Sequence, residues 1–127
     1  MSDVMNTPAD RDRRQRFGAQ RGRDFYWGIT LGLVVNAATM FMITLGVGVP
    51  KLAITAAIVG SFIFVCINSF DCRDDFKANA DDMGEEERAT HLGKKLLVAP
   101  WGMFKTLVFL IFGAIGICQL QDLWKIF

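Results

Sequence analysis

Two long runs without an Asp, Glu, Lys or Arg dominate the hydropathy pattern: 25 residues from Phe25 to Val49 and 19 from Leu52 to Phe70, parted only by Pro50 and Lys51. Each can cross hydrocarbon as a helix, which takes roughly 20 apolar residues. Neither carries the charged face at helical spacing that a soluble core helix of that length would show. Between them, Gly46-Val47-Gly48-Val49-Pro50 places two glycines and a proline at a turn, which predicts an antiparallel hairpin. The first run is too long for the apolar segment of a secretory signal and leads straight into the second, so it is expected to be retained as a span.

A third apolar stretch, Trp101 to Leu123, contains Lys105 and ends in Gln119, Gln121 and Asp122. A lysine at mid-span costs about 3 kcal/mol, but one turn past Trp101 it can snorkel to the headgroups. Trp101 and Trp124 are 23 residues apart, about 34 Å of helix, which matches the two aromatic belts of a bilayer. The stretch is therefore predicted to be a third span and not an interfacial helix. The expected fold is an all-α integral membrane protein with three transmembrane helices, an N-terminal antiparallel hairpin plus one more span, and a short cytoplasmic amphipathic helix.

The segments flanking these runs are polar. Residues 1–24 hold few large apolar side chains, so the composition predicts a mobile or partner-ordered tail. Phe25-Tyr26-Trp27 marks the membrane boundary, where amphipathic rings prefer to lie. In the charged stretch 71–99, Asp81 or Asp82 is expected to cap a short surface helix. Glu85, Glu86 and Glu87 in its first turn and Lys94 and Lys95 at its far end suit the helix dipole, and it should end near Pro100. Four segments result: an Arg-rich cytoplasmic tail (1–24), a transmembrane hairpin (25–70), a charged cytoplasmic loop (71–99), and a third span with the C-terminus (100–127).

The net charge of +1 conceals a strong asymmetry. Arg11, Arg13, Arg14, Arg16, Arg21, Arg23, Arg73, Lys77, Arg88, Lys94 and Lys95 fall on one side of the expected spans, and only Lys51 and Lys125 on the other. The positive-inside rule then places the N-terminus and the loop in the cytoplasm and the C-terminus outside. A bacterial inner membrane with a periplasmic C-terminus is the expected setting.

Gly28, Gly32 and Asn36 recur every four residues and share a helix face, answered in the second span by Ala53, Ala57, Gly60 and Ser61. Small residues permit close helix approach in lipid. They serve either to dock another protein or to pack the hairpin on itself. A turn at Pro50 would bring Asn36 level with Phe64 and Gly32 level with Asn68. Asn36, near mid-membrane, is expected to find its partner across a helix interface. The first two spans carry no ionisable group of the kind an ion-coupled pump requires.

The six N-terminal arginines, with Lys105, are candidate contacts for anionic lipid or an acidic partner. Asp10, Asp12 and Asp24 interrupt them and no aromatics interleave, which argues against nucleic acid. Asp71, Asp74, Asp75, Asp81 and Asp82 lack EF-hand spacing, so no metal site is expected; a solvated loop or pairing with a basic partner accounts for them. His91 is the only histidine, which rules out bis-histidine haem within a single chain. Cys66, Cys72 and Cys118 form no CxxC pair, and Cys66 and Cys118 are expected to act as small packing residues. No nucleophile–base set, phosphate loop or carboxylate pair can be assembled, so neither an enzyme nor a cofactor is expected.

These features predict a non-catalytic accessory or assembly subunit of a larger inner-membrane complex, docking through small-residue helix faces among lipids and other subunits. The alternative is a homo-oligomeric pore of the holin or small-channel type, needing a polar stripe for which Asn36, Thr39 and Thr44 are the candidates. A small dimeric transporter, with Lys105 as an anion contact, is the weaker alternative.

Overall fold

The computed structural model describes residues 7–46, 48 and 50–125. Nearly all of these are helical: α1 (Pro8–Leu45), α2 (Lys51–Asp81), α3 (Glu85–Ala89), α4 (His91–Leu97) and α5 (Trp101–Trp124). Helices α1, α2 and α5 are each long and apolar enough to cross a membrane. They form a three-helix bundle with α1 and α5 both packed on α2.

Residues 8–24 are not a loose tail. They form the first half of α1, a helix of 38 residues, about 57 Å long at 1.5 Å per residue. Once an apolar segment has formed helix, each added residue costs little, because nucleation is already complete. Thr7 closes the N-terminus as a capping box: its side chain accepts from the Asp10 N–H while the Asp10 carboxylate accepts from the Thr7 N–H, with Pro8 at the first turn. The first six residues lie outside the described ones.

The acidic stretch also departs from expectation, because α2 runs on through Asp71–Asp75 to Asp81. Asp81 therefore ends a helix and does not start one, and Asp82 is its C-cap. The expected single surface helix is two: α3, with Gly84 at its N-cap and no side-chain bond there, and α4, whose cap is Thr90, accepting from the Gly93 N–H at 3.0 Å.

The hairpin turns earlier than Pro50. Gly46 and Gly48 both have positive φ, 67° and 60°, the left-handed conformation that ends α1 and that side chains with a Cβ resist. Pro50 is only the N-cap of α2. The register accordingly shifts by nearly one turn: Gly28, not Gly32, lies level with Asn68, and Gly32 lies on Val65.

Burial is inverted relative to a water-soluble bundle. Asn36, Thr39, Ser61, Ser69 and Gln119 are buried, while Leu31, Val34, Met40, Phe41, Ile63, Ile67 and Leu110 are exposed. One apolar cluster, Ile54, Ile58 and Leu123 flanked by Ile43 and Leu120, lies at the end near the hairpin turn, and Val65 and Phe112 are buried further along the bundle. An apolar surface this continuous is what hydrocarbon, not water, would cover.

Candidate functional site

The small-residue face of α1 points into the bundle. Gly28, Gly32 and Asn36 are buried with Thr39. A Cβ at Gly28 would overlap the Asn68 amide, and one at Gly32 would overlap Val65 Cγ2 and lie 3.0 Å from Phe112. This face packs the chain on itself. On α2, only Ser61 of the matching set is buried and Ala57 is half-buried, whereas Ala53 and Gly60 face outward. A Cβ on Gly60 would meet nothing within 4 Å.

Asn36 does not reach across to another helix. Its amide donates to the Gly32 carbonyl of its own helix at 2.7 Å. The bridge is made by Gln119 of α5, whose Nε2 donates to the Asn36 carbonyl at 2.8 Å and whose Oε1 lies 3.0 Å from the Thr39 hydroxyl. From its position in the sequence Gln119 looked like the polar end of a span. Only the crossing of α5 over α1 turns it inward. Asn68 makes a second bridge, donating to the Asp24 carbonyl at 3.3 Å.

At the opposite end from the hairpin turn, the arginines and acids expected to seek external partners find each other. Arg11 pairs with Glu86 at 2.6 Å and Arg14 with Glu87 at 2.5 Å. Arg21 pairs with Asp75 and lies 3.7 Å from Asp71 and 3.9 Å from Asp24. Asn79 donates to the Arg14 carbonyl at 3.2 Å, and Gly18 lets α2 approach at that point. An exposed pair contributes less than about 1 kcal/mol, but the Arg14–Glu87 side chains are only 12% and 19% exposed, so screening there is weaker. This ladder orders what composition alone marked as tail. Among the six arginines, Arg13, Arg16 and Arg23 face outward, Arg16 only 3.9 Å from Asp12 of its own helix.

Lys105 reaches Asp74 of α2, and its ammonium lies 5.7 Å from the Phe70 ring centroid. Trp101 stacks on Phe76 with centroids 6.1 Å apart. At the other end of α5, Trp124 donates to Thr55 at 3.0 Å. Cys66 and Cys72 are buried, but Cys118, expected to serve as a packing residue, is exposed.

One cation that the sequence marks only by its contribution to topology lies between three helices. Arg73 of α2 places its guanidinium carbon 4.6 Å from the Phe25 ring of α1 and 4.5 Å from the Phe104 ring of α5. Such contacts contribute roughly 0.5–2 kcal/mol each, depending on desolvation. Its Nε is buried without an acceptor among the described residues. The sequence held no signal for this, since the rings come from residues 48 before and 31 after it. Comparison of the chain with family models, with curated proteins and with solved structures gives no match.

Proposed function

We propose that the chain is a multi-pass membrane protein acting as a non-catalytic accessory or assembly subunit of a larger membrane complex. The observation that carries this reading is how the spans use their polar and small groups. Gly28, Gly32, Asn36, Thr39 and Gln119 satisfy one another inside the bundle, while a small-residue ridge on α2, Ala53, Ala56 and Gly60, is left facing outward among large apolar side chains. Small outward residues let a second helix approach closely in lipid. The paired Arg and acid ladder then makes a stiff charged head, about 25 Å long by the rise of residues 8–24, able to hold a fixed orientation against a partner.

Purification in mild detergent followed by mass spectrometry tests the reading. A stoichiometric membrane partner is expected, lost on Gly60→Leu without loss of helicity. A chain that runs only as a free monomer would sink it. The pore alternative requires a polar outward stripe; of its candidates Asn36 and Thr39 lie on the buried side of α1, and only Thr44 is exposed. The transporter alternative needs Lys105 free to meet an anion, and it is engaged with Asp74.

By the positive-inside rule the charged head lies in the cytoplasm, in a bacterial inner membrane with the C-terminus outside. A reporter fused after Phe127 and active only in the cytoplasm should stay silent; activity would reverse the orientation.

A further inference from the structure

The interior-facing cations at the charged end, apart from one, have carboxylate partners: Arg14 with Glu87, Arg21 with Asp75, Lys105 with Asp74. Arg73 is the exception. It is half-buried, makes no hydrogen bond or ion pair among the described residues, and sits over the Phe25 and Phe104 rings of two different helices. Both rings lie within cation–π distance of the guanidinium, a contact that takes up none of its N–H donors in an ion pair. Its N–H groups have no acceptor among the described residues, the buried Nε included. A buried donor left unmet marks either a cost to the fold or a ligand that completes it.

The position narrows what such a ligand would be. Arg73 lies three residues past the uncharged run that ends at Phe70. Its ring neighbour Phe25 is followed in α1 by the exposed Tyr26 and Trp27, and Phe104 lies against Trp101, the aromatic types that settle at the boundary between hydrocarbon and headgroups. An arginine fork matches two oxygens of a phosphate, where a lysine offers only a point charge. We infer that Arg73, seated on Phe25 and Phe104, forms a binding site for a phosphate oxyanion presented by the headgroup of an anionic phospholipid. The site rests on the multi-pass membrane reading above but is independent of the accessory-subunit role.

The test uses the full chain in uncharged detergent, offered equal amounts of phosphatidylglycerol and phosphatidylcholine, with retained lipid counted by native mass spectrometry. The expected result is one tightly held phosphatidylglycerol, preferred about tenfold. Arg73→Gln should remove the preference, while Arg23→Gln, on the outward face of α1, should keep it. Inorganic phosphate at millimolar concentration forms a second arm: Arg73-dependent displacement of the lipid supports the same oxyanion site, and phosphate binding without lipid preference would overturn the lipid as its source. Equal preference in wild type and Arg73→Gln would overturn the site and leave Arg73 as a packing residue. Should Arg73→Gln fail to fold, Arg73→Lys keeps the charge and loses the fork, so an undiminished preference in that variant is equally fatal. Alkaline extraction of the chain from vesicles checks the membrane reading separately: a chain that resists extraction but shows no lipid preference defeats this inference alone.

Discussion

Replacing Gly32 by alanine adds one methyl group where α1, α2 and α5 meet. In open space on a helix, glycine to alanine gains up to about 1 kcal/mol from reduced backbone entropy. At Gly32 the methyl would overlap Val65 Cγ2 and come within 3.0 Å of the Phe112 ring. Val65 is fully buried and β-branched, so it has no alternative rotamer within easy reach, and Phe112 is 5% exposed. Overpacking of this kind costs about 1–3 kcal/mol. Net destabilisation of about 1–2 kcal/mol is therefore expected for Gly32→Ala, against a gain of about 0.5–1 kcal/mol for Gly60→Ala, where the same methyl meets nothing. Unfolding in mixed micelles of rising SDS content, followed by far-ultraviolet circular dichroism, resolves a gap of that size. The double variant Gly32→Ala/Val65→Ala should recover part of the loss, since the obstructing methyl is gone, with a coupling of about 1 kcal/mol. If Gly32→Ala is as stable as Gly60→Ala and shows no coupling to Val65, the packing of α1 against α2 through this face is wrong.

Glu87→Gln should loosen α3 from α1 by about 1 kcal/mol, a five- to tenfold rise in amide exchange over residues 8–20; unchanged exchange would mean that the ladder does not hold the head. Gln119→Leu removes the bridge to the Asn36 carbonyl and should cost about 0.6–1.7 kcal/mol, the range for interhelical bonds in membranes, read by the same SDS titration. Ser69→Ala should be neutral or stabilising, because the Ser69 hydroxyl is buried without a partner among the described residues; a marked loss of stability would reveal an unrecognised bond. The Asp10 carboxyl is held below its ordinary value of 3.8 by hydrogen bonds from the Thr7 side chain and backbone. A depressed carboxylate contributes its stability above the ordinary range and loses it as pH falls through the folded value. The carbon chemical shifts of residues 8–11 should therefore stay helical from pH 7 down to about 4 and relax only below it, whereas an Asp10→Ala chain frays throughout.

The three apolar helices, their hairpin order and the shared face of Gly28, Gly32 and Asn36 were legible because each depends on local facts: run length, absence of charge, and spacing along one helix; which of the small residues turn inward was not. Trp101 and Trp124 even bound α5 as expected. The N-terminal half of α1 was not legible in the same way. Composition weighs a segment against water, and residues 8–24 bury little apolar surface of their own. Their order comes from acids more than 50 residues away, brought alongside only because α2 continues past Phe70 in antiparallel register. The register differs by nearly a turn from that of a hairpin pivoting at Pro50, because the positive-φ glycines before the proline make the turn.

By itself, then, the chain of residues determined which segments are apolar helices, where α5 begins and ends, and that the charged groups gather at one end, but not how far α1 and α2 extend beyond their apolar runs. Those are consequences of hydrophobicity and local backbone preference. Tertiary structure alone decided which polar group meets which: Gln119 rather than a neighbour across the hairpin for Asn36, the acids of α2 and α3 for the arginines of α1, and no carboxylate for Arg73. Such pairings depend on the rotation and register of packed helices. One residue of slip turns a side chain by about 100°, and no composition or spacing rule carries that information.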